Sequence, residues 1–426
     1  MSKRLLNRRS FLAAAGAVTA GAAVPALAAP AASAAAGAGP EAGREAPKTA
    51  LVFINTAFEN ASPLNWEVDA GGVVQVYLLY DHERASPNRA AGHWYFQLQA
   101  AKGSDLTVVL NNFDNVWNGK PGSPVSDKTI CYLSEDNLKW RAVPTQKIEG
   151  NRICLQVHME GEGLYLARLE PYRLSDLDRF LAEIGGRPQV EITPIGRTVE
   201  GRPLEIIRVG RPDAPHRALL RARAHAWEPG GNWVVEGLVR ALLDDSPDAR
   251  RCMERYAVYA MPMANKDGVA RGMTRFNVLG KDLNREWDRP ADAVLAPEKK
   301  ALETWLETMI AQGRRPDLVI DLHNDENGKL NISRPNVNLE KHLAHMQRLD
   351  ELLRRFTWFT EGSTGATFRN PGSIGEGLVE RYGIDACVLE LNCNWIAGLK
   401  KCPAAADWQA LGRGLREVFY AYFDGI

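Results

Sequence analysis

Two different spacings of apolar residues divide the chain. From residue 49 to about residue 169, short segments alternate apolar and polar positions or run apolar, and Gly, Pro and Asn separate them. The pattern is plainest at residues 73–80, 93–99, 105–111 and 153–158. Because alternation places one face of a strand against a core, we predict an all-β sandwich domain at residues 49–170.

Beyond residue 170 the apolar positions follow helical spacing in some segments and strand spacing in others. The spacing predicts helices at 171–184, 233–243, 297–310, 338–356 and 404–423, and strands at 204–209, 217–224, 256–261, 318–322 and 386–391. Such alternation is typical of an α/β domain, with helices on both faces of a mixed, mostly parallel sheet. We predict this domain at residues 171–426.

The first 48 residues follow neither pattern. Basic residues at positions 3, 4, 8 and 9 precede an apolar run, and residues 7–12 resemble the twin-arginine export signal of bacteria. We expect a signal peptide at 1–28, a disordered linker at 29–48, and a periplasmic or extracellular protein. A membrane anchor is the alternative, but the run is short and rich in Ala and Gly, so we expect no stable span in the mature protein.

Composition excludes some partners. Lys plus Arg and Asp plus Glu each number 52 among 426 residues, so no net charge attracts nucleic acid, and we predict no nucleic-acid partner. The six Cys include no Cys-x-x-Cys pair, which argues against a thiolate zinc site. Disulfides and buried thiols both remain open, and the sequence does not determine the oligomeric state.

Candidate chemistry lies at the ends of three predicted strands. His225 follows one strand with Glu228 three residues later, His323 ends a second strand, and Glu390 interrupts the buried run of a third. A His-x-x-acid pair alone is weak, because 8 His and 52 acids predict about one by chance, and His323 with Glu326 also fits. However, the carboxyl ends of parallel strands meet at one sheet edge, where two His and a Glu can bind a catalytic zinc.

The order of motifs resembles that of the funnelin-type zinc carboxypeptidases. The resemblance covers about residues 174–426 and rests on segments 195–203, 225–228, 265–268, 282–285 and 321–323 and on the late Glu390. The preceding β-rich segment, with residues 93–97 and 165–172, is similar to the cytosolic carboxypeptidase branch, whose members carry a β-sandwich before the peptidase.

The resemblance implies a role for each motif residue. It implies one Zn²⁺ per chain, a general base, an oxyanion donor, a pair that binds the terminal carboxylate of a peptide or protein substrate, and an acid such as Asp321 behind a ligand His. The implied metal ligands are His225, Glu228 and His323, and the implied general base is Glu390. Arg275 is the implied oxyanion donor, and Asn284 with Arg285 is the implied pair for the terminal carboxylate.

Specificity is the least constrained part of this prediction. The family often has a Tyr some twenty residues before the catalytic Glu, but residues 367–371 contain none. Spacing puts the specificity position near Glu376, which favours a basic or amine-bearing C-terminal residue; an exposed acid at a helix start is the alternative. The predicted function is therefore hydrolysis of the C-terminal peptide bond. Alternatives are release of diaminopimelate from peptidoglycan stem peptides and a non-catalytic cell-surface binding protein.

Overall fold

The structure, a computed structural model, describes residues 49–425. The predicted signal peptide and linker at 1–48 lie outside the described residues. Residues 49–425 belong to one compact unit. Along residues 49–425, no helix combines the length and apolar character that a membrane span requires.

The first part of the chain is built from short strands, and we call residues 51–167 the strand-rich region. Its strands are β1 (Leu51–Asn55), β2 (Leu64–Val68), β3 (Val74–Leu78), β4 (Asp81–His82), β5 (Arg89–Ala90), β6 (Tyr95–Ala100), β7 (Asp105–Asn111), β8 (Asn115–Trp117), β9 (Lys120–Gly122), β10 (Ile130–Ser134), β11 (Arg141–Pro144), β12 (Gln146–Ile148), β13 (Arg152–His158) and β14 (Gly163–Ala167). Two five-stranded sheets, ordered β1-β6-β14-β10-β11 and β12-β13-β7-β3-β2, accompany a small sheet of β4, β5, β8 and β9.

Alternation of side chains explains how the two larger sheets pack. Val74 and Val76 of β3 and Phe96 and Leu98 of β6 share one buried cluster, so the sheets face each other as the predicted sandwich. The other face of the first sheet is also covered. Tyr95 of β6 belongs to the hydrophobic cluster of the following α/β region.

The second part of the chain alternates helices and strands. It contains α1 (Leu174–Ile184), β15 (Val190–Arg197), β16 (Pro203–Val209), β17 (His216–Ala222), α2 (Gly230–Leu242), α3 (Pro247–Arg255), β18 (Tyr256–Met261), α4 (Lys266–Ala270), α5 (Pro297–Ala311), β19 (Leu318–Asp325), β20 (Leu330–Asn331), α6 (Leu339–Phe356), α7 (Ile374–Tyr382), β21 (Asp385–Asn392) and α8 (Ala405–Tyr422), then a 3-10 turn at Phe423–Gly425.

One seven-stranded sheet, ordered β15-β16-β18-β17-β19-β21-β20, organises this part. Its four central strands, β18, β17, β19 and β21, are parallel, and the pairings of β15, β16 and β20 at the edges are antiparallel. The predicted α/β fold with a mixed sheet and a preceding β-rich part is confirmed, and the parallel strands form the centre of the sheet. Among these residues the apolar pattern had not predicted α3, α4 or α7.

The strand-rich region and the following α/β part share buried apolar side chains near residue 170. Tyr95 and Tyr132 of the strand-rich region share a buried cluster with Leu177 and Phe180 of α1. The hydroxyl of Tyr132 also donates a hydrogen bond to the carbonyl of Pro403. A domain boundary at residues 170 and 171 stays a prediction, because the described residues pack there as one body of apolar side chains.

Candidate active site

The loop after β17 positions the first two candidate ligands. Arg223 adopts a left-handed φ of 60° and donates from Nε to the carbonyl of Ala226 at 2.7 Å, which turns the chain out of the strand. The following helix α2 starts close to the sheet because Gly231 has no Cβ; one would lie 2.8 Å from Cβ of Leu322. His225 and Glu228 are therefore held in the short segment between a strand end and a helix start.

The neighbouring parallel strands carry the other two predicted residues. His323 lies near the end of β19, and its backbone is paired in register with Glu390 of β21. Residues that pair in this way have side chains on the same face of the sheet. The strand ends thus bring His323 and Glu390 beside the loop that holds His225 and Glu228, as their sequence positions predicted.

Three ligand atoms converge on one point. His225, Glu228 and His323 are buried, and one donor atom from each lies within 4.8 Å of the others. Nδ1 of His225 is 2.9 Å from Oε1 of Glu228 and 3.2 Å from Nδ1 of His323, while Nδ1 of His323 is 2.7 Å from Oε2 of Glu228. In a tetrahedral zinc site with bonds of about 2.0–2.1 Å, ligand atoms are roughly 3.3 Å apart.

Two further observations fit a cation here. Two imidazole Nδ1 atoms face each other across 3.2 Å, an arrangement that repels their lone pairs unless a proton or a metal lies between them. In addition, Oε2 of Glu228 is buried and lies 2.7 Å from Nδ1 of His323, so a carboxylate oxygen joins the two imidazole nitrogens at the same point. A divalent cation would satisfy all three groups, so the donor set suits zinc.

The outer nitrogen of each imidazole contacts a buried carboxylate. Nε2 of His225 lies 3.1 Å from Oδ1 of Asp282, and Nε2 of His323 lies 2.6 Å from Oδ2 of Asp321. Arg221 holds Asp321 through two hydrogen bonds of 2.7 and 2.5 Å. Such contacts fix the tautomer and ring orientation of a metal-binding His, leaving Nδ1 to face the ion.

The buried charged groups of the site shift one another's pKa values. Burial opposes ionisation of Glu228, but the two imidazoles lower its pKa far below the ordinary value. Burial also opposes the charge on His323, yet Asp321 and Glu228 raise its pKa well above the usual range. By contrast, burial raises the pKa of Glu390 well above its ordinary value, so this carboxyl holds a proton more readily than a solvated one does.

The site opens into a cavity of about 390 Å³. Its lining includes His225, Glu228 and His323 together with four other predicted residues: Arg275, Asn284, Arg285 and Glu390. Seven of the eight residues proposed from the sequence therefore share one cavity.

The three polar residues predicted to bind substrate have different contacts. Arg275 forms an ion pair with Oδ2 of Asp282 at 2.7 Å. The amide of Asn284 is engaged by the protein: Oδ1 accepts from the backbone N–H of Ile374 at 3.0 Å, and Nδ2 lies 3.3 Å from Nε2 of His323. Arg285 donates from Nη1 to the carbonyl of Asn284 at 2.8 Å and makes no ion pair within residues 49–425.

Glu376 is the predicted residue that the lining does not include. It lies in the first turn of α7, is 6% exposed, and has its Oε1 3.8 Å from Nη1 of Arg369. The adjacent loop reaches the cavity through Asn370. The role of Glu376 in specificity stays a prediction.

Several residues that the fold places here had no predicted role. Asp282 lies in the motif at residues 282–285, but the motif does not predict its contact with His225. The strand-rich region contributes one wall through Gly92, Trp117, Asn118, Ser123, Pro124 and the nearby Arg168. A signal for Arg168 was present, because it lies within the segment 165–172 that resembles the cytosolic branch.

Comparison with known families agrees with this geometry. Residues 178–326 match the family described as zinc carboxypeptidase, which confirms the resemblance carried by the motifs. A metallo-carboxypeptidase from Burkholderia cenocepacia has a similar fold, with a TM-score of 0.76 at 23% identity over 88% of this chain and 99% of that one.

The proteins similar to this chain in sequence include a cytosolic carboxypeptidase. The chain is 33% identical over 275 residues to cytosolic carboxypeptidase 1 of Danio rerio, covering 63% of this chain and 22% of the fish protein. It is 27% identical over 235 residues to an uncharacterized protein, ZMO1242, of Zymomonas mobilis, covering 55% of this chain and 58% of that protein. The chain thus spans less than two thirds of the length of these relatives.

Proposed function

We propose that this chain, which contains a zinc carboxypeptidase domain, is a metallocarboxypeptidase that hydrolyses the C-terminal peptide bond of peptides or proteins. The observation that carries the proposal is the cavity in which His225, Glu228 and His323 converge beside Glu390 and Arg275. Two imidazoles and one carboxylate with further space beside them are the ligand set of catalytic rather than structural zinc sites.

Zinc bound by these three residues would polarise the scissile carbonyl and lower the pKa of a water molecule in the cavity. The protein contributes the orientation of the ligands through Asp282 and Asp321. It also keeps the site enclosed, since His225, Glu228 and His323 are each no more than 4% exposed. Enclosure strengthens every electrostatic contact with the reacting groups.

Glu390 moves the proton in this proposal. Its carboxylate accepts the proton of the attacking water and delivers it to the leaving amine. Burial raises its pKa, so the carboxyl can hold the proton between these two events. The register pairing with His323 fixes its distance from the metal ligands, because both residues are on adjacent strands of one sheet.

Arg275 and Arg285 supply positive charge on the substrate side. The guanidinium of Arg275 is held by Asp282 and is 18% exposed, which leaves donors for the oxygen that gains charge in the tetrahedral transition state. Arg285 has no carboxylate partner among the described residues, and we assign it to the terminal carboxylate of the substrate. We assign Asn284 one of two roles. Either its amide rearranges to bind the same terminal carboxylate, or it stays in place and orients His323.

A preference for basic C-terminal residues is a further proposal, supported by Glu376 alone. Its buried Oε2 has no hydrogen-bond partner among residues 49–425, and burial raises its pKa. The test is the ratio of kcat/KM for peptides ending in Lys and in Leu. We expect the ratio to fall in Glu376→Gln, and an unchanged ratio removes Glu376 from specificity.

The experiment for the function uses purified protein, zinc and synthetic peptides that differ only in the last residue. We expect release of single C-terminal residues, loss of release with a chelator, and recovery on adding zinc. Release from muropeptides alone moves the function to peptidoglycan stem peptides. No release from any substrate, with zinc bound, contradicts the proposal.

Export by the twin-arginine route is also proposed, and it rests on the pattern of residues 1–28. Replacing Arg8 and Arg9 by Lys should retain the protein in the cytoplasm of a bacterial host while leaving its activity in lysates unchanged. The measurement is the share of protein in the periplasmic or culture fraction, and equal shares for both forms contradict the proposal.

A further inference from the structure

One buried carboxylate of the strand-rich region binds the backbone of the segment that carries Arg275. Asp81 lies in β4 and is 8% exposed. Its Oδ1 accepts the backbone N–H of Thr274 at 3.3 Å, and its Oδ2 accepts the backbone N–H groups of Arg275 and Phe276 at 2.7 and 2.9 Å. Hydrogen bonds to a charged carboxylate are stronger than those between neutral groups, so Asp81 fixes three consecutive peptide units.

The segment at residues 271–280 lacks regular secondary structure. It consists of turns and bends, without a helix or a strand. Buried backbone N–H groups outside a helix or a sheet need partners from side chains or from other loops. For Arg275 and Phe276 that partner is Asp81, which precedes Arg275 by 194 positions in the chain. The conformation of the segment therefore depends on the strand-rich region.

Thr274 connects the same segment to the strand-rich region and to the metal-binding loop. Its Oγ1 accepts the backbone N–H of Gly92 at 3.1 Å, and its carbonyl accepts the backbone N–H of Trp227 at 3.0 Å. Trp227 lies between His225 and Glu228 in the chain. The segment is thus held between the strand-rich region and the loop that supplies two of the candidate metal ligands.

The side chain of Arg275 is held at its other end. Nε and Nη2 of Arg275 lie 2.9 and 2.7 Å from Oδ2 of Asp282, which itself contacts His225 through its other oxygen. Asp81 fixes the backbone of Arg275, and Asp282 fixes its guanidinium. A side chain fixed at both ends presents its free donors in one orientation, which is the preorganisation that stabilises charge in a transition state.

The charge of Asp81 has no cation beside it. No Lys, Arg or His among residues 49–425 forms an ion pair with Asp81, and burial raises the pKa of its carboxyl. A buried acid without a cation opposes folding unless hydrogen bonds compensate it, and groups that oppose folding concentrate at functional sites. The three N–H groups of the Arg275 segment supply that compensation, which points to a role in the site.

We propose that Asp81 is a positioning residue that holds Arg275 in the orientation that meets the oxygen of the tetrahedral transition state. The inference rests on the proposed peptidase function. The cavity lining does not include Asp81, so its effect passes through Arg275. The strand-rich region then takes part in the chemical step through a backbone contact, in addition to forming one wall of the cavity.

The test is Asp81→Asn in the zinc-loaded full chain, assayed with a peptide that the wild type cleaves. Asn has the same size, but its NH2 group faces backbone N–H donors, so the segment shifts. We expect kcat to fall by about 10- to 100-fold, because a displacement of about 1 Å costs up to about 100-fold in rate. KM should stay within about twofold of the wild type, since the contact acts in the transition state.

A double-mutant cycle separates this role from a general loss of structure. In the Arg275→Ala background, Asp81→Asn should change kcat by less than about twofold, because residues that act as one unit are not additive. An equal fall of kcat in both backgrounds overturns the proposal. Zinc affinity of Asp81→Asn, measured by chelator competition, should match the wild type, and a loss of zinc that parallels the loss of kcat also overturns it.

Asp69→Asn is the matched control. Asp69 lies in the same region and accepts the backbone N–H groups of Gly71 and Val73 at 2.9 and 3.0 Å, away from the cavity lining. We expect this variant to keep the wild-type kcat. Melting temperatures report folding. If Asp81→Asn does not fold, Asp81→Glu, which keeps the charge and displaces the oxygens by one methylene, enters the same cycle under the same criteria.

Binding of a transition-state analogue separates this inference from the proposed function. The probe is a peptide in which a phosphonate replaces the scissile amide, and calorimetry with the zinc-loaded chain needs no turnover. We expect Asp81→Asn to weaken its binding by about the factor lost in kcat/KM. Asp81-dependent phosphonate binding without release of any residue supports the inference and contradicts the peptidase function. Release of residues by Asp81→Asn at the wild-type rate contradicts the inference alone.

Discussion

Replacing Asp282 by Asn tests whether carboxylates behind the imidazoles set the metal affinity. Asp282 is 6% exposed, and one of its oxygens contacts Nε2 of His225 while the other accepts from Arg275. Although burial opposes ionisation, Arg275 and His225 lower the pKa of Asp282 well below its ordinary value, so the group is charged at neutral pH. Asn retains the size and one acceptor and removes the charge.

The expected loss follows from these contacts. Removing a carboxylate that bonds the outer nitrogen of a metal-binding His weakens metal affinity by about 10- to 100-fold, or about 1.4–2.7 kcal/mol. A charge-assisted hydrogen bond is worth about 1.5–3 kcal/mol, which agrees with that range. Turnover should fall further, because Arg275 loses the partner that aims it into the cavity.

Competition with a chromophoric zinc chelator measures the affinity at pH 7, and mass spectrometry of peptide products measures turnover. Asp213→Asn is the control, since Asp213 is an exposed acid paired with Arg211 at 2.7 Å. Zinc affinity of Asp282→Asn within about twofold of the wild type would refute the idea that Asp282 orients His225.

Other variants test separate parts of the site and the fold. Glu390→Gln should keep zinc and lower kcat by about 10²–10⁴-fold, as expected for removal of a general base, and unchanged turnover would exclude that role. His225→Ala should bind little zinc in metal analysis, and full occupancy would contradict its assignment as a ligand. Burial lowers the pKa of His93 from 6.5 to about 4, and its Nε2 lies 3.0 Å from the carbonyl of Asn60. The folded pKa is below the unfolded value, so protonation favours unfolding and about 3 kcal/mol of stability is lost as pH falls from 6.5 to 4. The difference in unfolding free energy between the wild type and His93→Gln, measured in urea at pH 7 and pH 4, should change by about this amount; equal differences would falsify the assignment.

The sequence determined the α/β class and the candidate ligands because both depend on local order. Apolar spacing marked β17, β19 and β21, and each strand end carried a polar residue that a buried strand would otherwise exclude. In a parallel arrangement those ends meet at one edge, so His225, His323 and Glu390 were found without coordinates. The predicted convergence of these residues in one cavity agrees with the structure.

Tertiary structure alone decided which groups surround those residues. The contact between Asp282 and His225 joins positions 57 apart in sequence, and Arg168 reaches a cavity whose Cys393 is 225 positions away. No periodicity records such pairs, since they depend on how loops pack after the strands have formed. The sequence likewise placed Glu376 only by spacing along a loop, and loop length does not fix the direction of a side chain. Local pattern thus determined the elements and the reactive residue types, whereas long-range packing decided burial, charge pairing and the contribution of the strand-rich region to the cavity.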